Sequence, residues 1–382
     1  MDFSLTDEHK MIQKMARDFA QKELWPAAAE LDEKSEFPAR HLPKMAELGL
    51  MGMMIDPKWG GAGLDALAYV VALEEVSAGC ASTAVTMSVN NSLYCGPIEA
   101  YGTDAQKDRC LTLFASGRKL GAYCLSEPST GSDAANQETT AVLTGDTYIL
   151  NGRKNFITNG PNADAMIVFA MTDKAKRHKG ISAFIVDKTF PGFSVGKIEK
   201  KLGIRGSSTS EIVLDNCEVP KENRLGAEGE GFTIAMATLD YGRIGIATQA
   251  LGISRTAFEL AGRYSREREA FGKPIGDFQA IQWMLADMAV KIDAARLLIH
   301  RAAWMKDQGL PCTKEAAMAK LFASEASNFI TNKAVQIHGG YGYIREYPVE
   351  RLLRDARITE IYEGTSEIQR LVIARNVLKE LA

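Results

Sequence analysis

The 382-residue chain lacks the patterns that mark several large classes of protein. Its six cysteines are never closer than 14 residues to one another, which excludes a CxxC redox motif and zinc-finger spacing. No run of 18 apolar residues occurs, and 45 basic side chains are balanced by 48 acidic ones without long runs of one sign. We therefore expect a soluble globular protein with free thiols that binds no metal or nucleic acid and does not insert into membranes.

Several catalytic motifs are also missing. No GxGxxG follows a strand pattern, FGKPIG (271–276) lacks phosphate-loop spacing, and neither HExxH nor GxSxG occurs. The sequence therefore does not support a Rossmann-type nucleotide-binding protein, a zinc-dependent hydrolase or a serine hydrolase. The N-terminal MDFSLTDEHK is acidic where a secretory signal is basic and then apolar. This predicts a cytoplasmic bacterial protein or, if a transit peptide has been removed, a protein of the mitochondrial matrix.

The spacing of apolar residues changes twice along the chain and predicts three domains. Residues 1–118 have helical periodicity, residues 119–228 alternate with a period of two, and residues 229–382 are helical again. The expected fold class is α+β, with an N-terminal all-α domain, a middle antiparallel β domain and a C-terminal helical bundle. Antiparallel pairing is expected because no helical segment separates the short strands.

Local signals support this division. Thr6 followed by Asp7 and Glu8 predicts a helix start, and Gly145-Asp146 between two β-rich runs predicts a tight hairpin. A long bundle helix is predicted where apolar residues alternate steps of three and four: Phe278, Ile281, Leu285, Met288, Ile292, Ala295, Ile299 and Ala302. Its expected packing partners on the next segment are Met318, Phe322, Phe329 and Ile330.

Five polar clusters interrupt these patterns, and each has a structural explanation when taken singly. A Ser/Gly-rich segment suits a solvated loop, Asn-Gly after a strand suits a turn, and an Asp–Arg pair three apart suits a surface ion pair. His338 suits a hydrogen-bonded helix end, and an isolated Glu is usually solvated. The clusters are YCLSEPSTGSD (123–133), NFITNG (155–160), LDYGRIGIA (239–247), QIHGGYGY (336–343) and ITEIYEGTSEIQR (358–370).

Together with RxxFGKPIGDFQ (268–279), the order of these clusters resembles the acyl-CoA dehydrogenases, flavoenzymes that oxidise the α,β bond of acyl-CoA thioesters. The similarity runs from end to end. STAVTMSVNNSLY (82–94) and KLGIRGSSTSEI (201–212) are most similar to the short-chain, butyryl-CoA branch. The resemblance implies helical, β and four-helix domains in that order, and a homotetramer built as a dimer of dimers.

The resemblance also implies FAD, bound between the middle domain and the C-terminal helices. Many relatives carry Trp at the position of Phe156. Phenylalanine keeps an aromatic face for the flavin but lacks the indole N–H of tryptophan. The residues implied at the isoalloxazine are Tyr123, Leu125, Ser126, Phe156, Ile157 and Thr158. Those implied at the dinucleotide, from a neighbouring subunit, are Arg268, Phe271, Gln279, Gln336, Ile337, His338, Gly339 and Gly340. Thr365 and Glu367 match cofactor contacts at the start of the last helix.

The catalytic base implied by the resemblance is Glu363. A thioester α-hydrogen is weakly acidic, so its removal needs a positioned base and stabilisation of charge on the carbonyl oxygen. The resemblance assigns the second task to the Glu363 N–H, and Gly364 lets the thioester approach the backbone. Some branches place the base where this chain has Gly242, which cannot act as one. The contacts implied for the acyl-CoA are Ser132, Asp240, Arg243 and Gly364.

Three functions remain open at this point. The favoured one is a dehydrogenase that forms trans-2-enoyl-CoA and passes electrons to electron-transferring flavoprotein. The second is an acyl-CoA oxidase or flavin monooxygenase that uses oxygen, and the third is a non-catalytic acyl-CoA-binding protein. The substrate could be butyryl-CoA, a 2-methyl-branched or a cyclic acyl-CoA, because one methylene changes discrimination by only about 1–3 kcal/mol.

Overall fold

The computed structural model describes residues 4–382, which begin with a helical region. Thr6 caps the first helix, accepting a hydrogen bond from the His9 N–H at 3.3 Å, so the predicted helix start is confirmed. Two π-helical segments, Ala20–Leu24 and Val89–Cys95, interrupt the helices of this region. The helices are α1 (Asp7–Phe19), α2 (Trp25–Lys34), α3 (Leu42–Glu47), α4 (Ala66–Gly79), α5 (Ala81–Ser88), α6 (Gly96–Tyr101), α7 (Asp104–Cys110) and α8 (Thr112–Ala115).

A sheet follows, in the strand order β6-β7-β3-β2-β4-β5-β8 with β1 beside β4. Its strands are β1 (Gly121–Cys124), β2 (Thr140–Thr144), β3 (Thr147–Thr158), β4 (Ala165–Met171), β5 (Ile181–Asp187), β6 (Phe193–Ile198), β7 (Thr209–Pro220) and β8 (Arg224–Leu225). The β2–β3 hairpin turns at Gly145-Asp146 as predicted, with Thr144 opposite Thr147.

The sheet is mixed, which corrects the expectation of purely antiparallel pairing. Strand β1 pairs with β4 in parallel, and β2 meets β4 in parallel at Thr140 and Met171. The other pairs are antiparallel. The β2–β3 hairpin lies between β1 and β4 in the chain, so it reverses direction and supplies the crossover that a helix usually provides.

The C-terminal region is helical apart from a small hairpin of β9 (Glu269–Ala270) and β10 (Lys273–Pro274). Its helices are α9 (Gly231–Glu267), α10 (Gln279–Asp307), α11 (Thr313–His338), α12 (Val349–Arg357) and α13 (Ser366–Glu380). Helix α9 packs against α11, α10 and α4, and so joins the two helical regions. None of the helices in the part of the chain described combines the length and apolarity needed to cross a bilayer.

The apolar stripe predicted for the long helix is confirmed over the middle of α10, where Met288, Ile292 and Ile299 are buried. Helix α11 packs against α10, as predicted. Of its four predicted partner residues, Ile330 is buried, Phe322 and Phe329 are partly buried and pack against the core, and Met318 is partly buried. The buried face of α11 is instead rich in small residues, which let the neighbouring helices approach closely. Its apolar members include Ala316, Ala319, Ala323, Ala326, Ile330 and Ala334.

Candidate active site

Glu363 lies in a turn between the 3-10 turn Ile358–Glu360 and helix α13. Its backbone is left-handed, with φ 52°, and the next residue, Gly364, has φ 94°. A left-handed residue other than glycine costs roughly 1–2 kcal/mol. Such strain persists only where the surroundings hold it, and it concentrates at functional sites. The strained backbone therefore indicates by itself that Glu363 belongs to a functional site.

Two side chains hold this turn through its carbonyl groups. Lys320 Nζ donates to the Gly364 carbonyl oxygen at 2.7 Å. Gln369 Nε2 donates to the same oxygen at 2.9 Å and to the Glu363 carbonyl at 3.2 Å. Since both donors are buried residues, the strained turn is fixed from two helices, α11 and α13.

The Glu363 carboxylate is set for proton transfer. Its Oε2 atom is buried and has no hydrogen-bond partner among residues 4–382. Burial raises the pKa of Glu363 to about 7 from an ordinary 4.5, although the positive charges of Lys320 and Arg243 oppose the rise. A Cβ on Gly242 would overlap Oε2 and would lie 3.0 Å from Leu93 Cδ2. The glycine therefore makes room for the carboxylate.

Asp240 and Arg243 form an ion pair on α9 in which Arg243 is buried and Asp240 partly buried, which corrects the interpretation of a surface ion pair. Arg243 Nη1 donates to Asp240 Oδ1 at 2.6 Å, and Thr313 Oγ1 donates to Asp240 Oδ2 at 2.6 Å. Burial raises the pKa of Asp240. Both Asp240 oxygens thus have partners inside the chain, whereas Ser132 is exposed on the loop after β1.

The end of β1 approaches the same region. Tyr123 and Leu125 are buried, and the Tyr123 hydroxyl donates to the Ala235 carbonyl on α9 at 3.4 Å. Burial and the Glu363 charge raise the pKa of Tyr123. The Ser126 carbonyl accepts the Asn155 N–H at 2.8 Å, which joins the first two polar clusters. These contacts bring Tyr123, Leu125 and Ser126 together with the segment that follows Asn155.

Phe156 projects from a β-bulge in β3. The pairing with β7 shifts between Lys154 and Ile157, and Phe156 in the bulge has φ 58° and is 67% exposed. Bulges re-aim side chains and are frequent beside active sites. Ile157 is buried, and Thr158 pairs with Thr209 as the ladder resumes. The predicted strand is thus present, and its aromatic residue is presented to the outside.

A second group of predicted residues lines an open cavity of about 430 Å³ at the C-terminal ends of α9 and α11, here called the distal cavity. Arg268 and residues 337–340 meet there. His338 is hydrogen-bonded at the helix end, with Nδ1 2.8 Å from the Ala334 carbonyl, and it stacks on Tyr264 at 4.3 Å. Phe271, Gln279 and Gln336 are exposed and do not line the cavity.

Thr365 and Glu367 begin helix α13. The Thr365 hydroxyl accepts the Ile368 N–H at 3.4 Å, which makes Thr365 the N-cap. Ser366 Oγ is buried and has no partner within residues 4–382, and Glu367 is exposed. The first turn therefore offers N–H groups and an unpaired hydroxyl to an oxygen-rich ligand.

Comparison with known proteins agrees with this geometry. Three domain families match in order: acyl-CoA dehydrogenase N-terminal domain (6–118), middle domain (122–217) and C-terminal domain (229–378). The human mitochondrial short-chain specific acyl-CoA dehydrogenase is 56% identical over 375 residues, which cover 98% of this chain and 91% of the human one.

The chain belongs to the acyl-CoA dehydrogenase family. Butyryl-CoA dehydrogenase from Megasphaera elsdenii has a TM-score of 0.97 and 49% identity, with 99% of this chain and 100% of that chain covered. A chain in the solved structure of the electron transferring flavoprotein of Acidaminococcus fermentans has a TM-score of 0.98 and 52% identity, with 99% and 100% covered. These relatives place this acyl-CoA dehydrogenase in the short-chain branch.

The residues present fit the FAD of this family. The distal cavity offers an arginine and a pair of glycines, Gly339-Gly340, with open space where a side chain would project. The chain also offers the exposed ring of Phe156 in β3 and, three residues after Glu363, the Ser366 hydroxyl, which has no partner within residues 4–382. An aromatic face suits a flavin ring, and Arg and free N–H groups suit phosphate oxygens.

Sequence reasoning missed the buried polar side chains that support the site. Lys320 and Gln369 hold the Glu363 turn, and Lys154 in β3 pairs with Glu127 beneath the loop after β1. One signal was available for Lys320, a lysine on the small-residue face of α11, one position after Ala319. No comparable signal marks Gln369, because its partners lie on a turn without periodicity.

Proposed function

We propose that this acyl-CoA dehydrogenase converts a short-chain acyl-CoA, best butyryl-CoA, to trans-2-enoyl-CoA and passes the electrons to electron-transferring flavoprotein. The observation that carries the proposal is the buried Oε2 of Glu363, which has no hydrogen-bond partner within residues 4–382 and belongs to a carboxyl group with a pKa of about 7. Such a carboxylate is a base matched to neutral pH. The flavoprotein partner is supported by the structural match to a chain in an electron transferring flavoprotein structure.

The proposed mechanism uses Glu363 twice. Its carboxylate takes the α-proton, and its backbone N–H donates to the thioester carbonyl oxygen as negative charge develops there. The bound FAD supplies a hydride acceptor for the hydrogen at the β-carbon. Tyr362, whose hydroxyl donates to Gln249 Oε1, closes one side of the carboxylate and helps to exclude water.

The nearby charges have distinct proposed tasks. Arg243 is buried and paired with Asp240, and its positive charge lowers the pKa of Glu363. A fraction of the enzyme molecules therefore carries an ionised Glu363 at neutral pH. Asp240, Arg243, Ser132 and Gly364 remain proposed contacts of the acyl-CoA. A 2-methyl-branched or cyclic acyl group is the alternative substrate, and a panel of acyl-CoAs under anaerobic conditions distinguishes them.

An acyl-CoA oxidase is the alternative within the same scaffold. Glu363 would serve the same proton transfer in both enzymes, so the electron acceptor decides between them. An oxidase reduced by butyryl-CoA is reoxidised rapidly by air, whereas a dehydrogenase is reoxidised by electron-transferring flavoprotein. Comparison of the two reoxidation rates in one preparation tests the assignment.

The test of the catalytic base is Glu363→Gln, which keeps the shape of the side chain and removes its proton affinity. We expect the variant to remain yellow and to bind acyl-CoA, and to lose about 10²- to 10⁴-fold in the rate of flavin reduction by butyryl-CoA. Stopped-flow absorbance under anaerobic conditions measures this rate.

Glu325→Gln is the matched control, since Glu325 lies on α11, is exposed and pairs with Arg370 at 2.6 Å. Flavin reduction by Glu363→Gln at the rate of this control would refute the proposed base.

We also propose that the FAD site is shared between subunits of a homotetramer. Lys320, which contacts the Glu363 turn, and His338, which lines the distal cavity, are 18 residues apart on α11, or about 27 Å at 1.5 Å per residue. Because the distal cavity lies this far from the Glu363 turn of the same chain, we infer that the adenine dinucleotide part of FAD is held by residues of a neighbouring chain. An exposed apolar stripe with seven-residue spacing on α10 supports helix pairing between subunits. Its residues are Trp283, Val290, Leu297 and Trp304.

Arg268→Ala tests the shared site. We expect the variant to lose FAD and to dissociate from a tetramer together, because one side chain would serve both the cofactor and the neighbouring subunit. Gel filtration with absorbance at two wavelengths measures both properties. Arg266→Ala is the control, two residues away, exposed and outside this cavity. Retention of FAD and of the oligomer by Arg268→Ala would contradict the proposal.

The domain boundaries at 118/119 and 228/229 and the compartment, cytoplasmic or mitochondrial matrix, also remain proposals. The relatives include both a bacterial and a mitochondrial protein, so they support either compartment.

A further inference from the structure

Lys320 is a fully buried lysine in the N-terminal third of α11. A buried ammonium is costly unless it is paired or hydrogen-bonded, and burial lowers the pKa of Lys320 to about 8. Its Nζ donates at 2.7 Å to a backbone oxygen, that of Gly364, 44 residues further along the chain. A structural lysine more often ends in solvent or in a tight ion pair. The chain therefore places this charge directly under the turn that carries Glu363.

The carbonyl that Lys320 holds belongs to the strained part of the turn. It follows two consecutive residues of positive φ, Glu363 at 52° and Gly364 at 94°. Gln369 adds a second, neutral donor to the same oxygen at 2.9 Å. With the carbonyl fixed, the orientation of the preceding peptide and of the Glu363 side chain is restricted. Lys320 thus acts on the carboxylate through the backbone as well as through its charge.

The charged and titratable groups around this turn come from several elements. Lys320 on α11 and Arg243 on α9 lower the pKa of Glu363. Tyr69 on α4 and Tyr123 on β1 face the Glu363 charge, and burial raises the pKa of each phenol, so both are neutral at pH 7. Glu360 and Glu367 face Lys320 across the turn. Lys320 and Arg243 are therefore the positive charges that act on Glu363 near neutral pH.

We propose that Lys320 is a positioning residue for proton abstraction, because its ammonium fixes the Gly364 carbonyl, sets the Glu363 carboxylate in place and keeps it ionised. The proposal rests on the proposed function of Glu363 as the base. In the step concerned, the α C–H bond of the acyl-CoA breaks and the proton goes to Glu363. The electron pair of that bond forms the α,β double bond as the β C–H bond breaks, and the hydride leaves with the β C–H pair, for which bound FAD would be the acceptor. Lys320 exchanges no atom or electron.

The test compares Lys320→Met with Lys201→Met, both as FAD-loaded enzymes. Lys201 also donates to a loop carbonyl, that of Ser207 at 2.7 Å, and burial also lowers its pKa. It lies on the loop between β6 and β7, and the charges that act on it are those of Asp355 and Glu199. The readouts are FAD content, anaerobic flavin reduction by butyryl-CoA from pH 6 to 9, and its isotope effects with α- and β-deuterated butyryl-CoA.

For Lys320→Met we expect retained FAD and a plateau rate about 10- to 100-fold lower than wild type, because a small misplacement of a base has effects of this size. The acidic limb of the pH profile should move to higher pH, since removal of a positive charge raises the pKa of Glu363. The α-deuterium isotope effect should increase while the β-deuterium effect does not. Lys201→Met should match wild type in all three readouts.

Three results would overturn the proposal. They are a Lys320→Met rate within twofold of wild type at every pH, an unchanged pH limb with unchanged isotope effects, or an equal loss in Lys201→Met. If Lys320→Met does not keep FAD, Lys320→Gln, which retains an N–H donor without the charge, takes its place with the same pH and isotope criteria. Glu363→Gln separates the two proposals, because an active Glu363→Gln refutes the base itself, whereas unaffected Lys320 variants beside an inactive Glu363→Gln refute only the role of Lys320.

Discussion

Two glutamates in this protein, the buried Glu127 and the partly buried Glu363, lie near buried lysines, and they differ in how completely their carboxylate oxygens are hydrogen-bonded. Glu127 Oε1 accepts from Lys154 Nζ at 2.7 Å and from the Thr139 N–H at 3.1 Å, and its Oε2 accepts from the Glu138 N–H at 2.6 Å. Glu363 Oε2 has no partner within residues 4–382, and Lys320 is bonded to the backbone instead.

The difference reverses the effect of burial on the two carboxyl groups. Burial alone raises the pKa of Glu127, but Lys154 and the backbone N–H groups outweigh it and leave the pKa below its ordinary 4.5. For Glu363 burial prevails, and the pKa is about 7. At Glu127 the charge of Lys154 and the hydrogen bonds from Lys154 and the backbone stabilise the carboxylate more than burial destabilises it. At Glu363 Lys320 bonds to the backbone instead of the carboxylate, and burial prevails.

The largest expected effect is on protein stability and comes from breaking the hydrogen-bonded pair of Glu127 and Lys154. Glu127→Gln leaves Lys154 buried without its counter-charge, so we expect the protein to lose about 3–5 kcal/mol of stability. The Tm of the FAD-loaded enzyme measures the loss. Glu138→Gln, at an exposed neighbouring residue, is the control. A Tm of Glu127→Gln equal to that of the control would remove the distinction between the two carboxylates.

A smaller effect is expected from crowding the unsatisfied carboxylate. Gly242→Ala places a methyl group against Glu363 Oε2, so the carboxylate must move, and we expect about a tenfold or greater loss in flavin reduction with FAD retained. Gly262→Ala, on the same helix, meets no atom within 4 Å and should keep the wild-type rate. Equal rates for the two variants would show that the position of Oε2 is not critical.

The smallest expected effect is on the pH dependence of stability, and it has opposite signs at the two sites. The raised pKa of Glu363 means that its contribution to stability is present below pH 4.5 and is lost as the pH rises through about 7. The lowered pKa of Glu127 means that its contribution is present above pH 4.5 and is lost as the pH falls below that value.

The Tm of wild type relative to Glu363→Gln should therefore fall between pH 5 and 8, and relative to Glu127→Gln it should fall as the pH is lowered from 6 to 3. Parallel pH profiles for the two variants would contradict the comparison.

Much of the fold could be predicted because its signals are local. The cap at Thr6, the hairpin at Gly145-Asp146 and the apolar stripe of α10 each depend on residues within a few positions of one another. The parallel pairing of β1 with β4 could not be predicted, because strand order depends on contacts between distant segments. The alanine-rich buried face of α11 was not predicted, because large apolar residues were given more weight than the small residues that allow close approach.

The candidate site divides in the same way. The sequence by itself determined the residue types and their order, including Glu363-Gly364 before a helix cap and a glycine at 242, and that order identified the family. Only the tertiary structure decided that Oε2 has no partner among residues 4–382, that Gly242 makes room for it and that Lys320 bonds to the Gly364 carbonyl of the same turn. The physical reason is that desolvation and charge pairing depend on which distant segments pack together, and no local spacing records that.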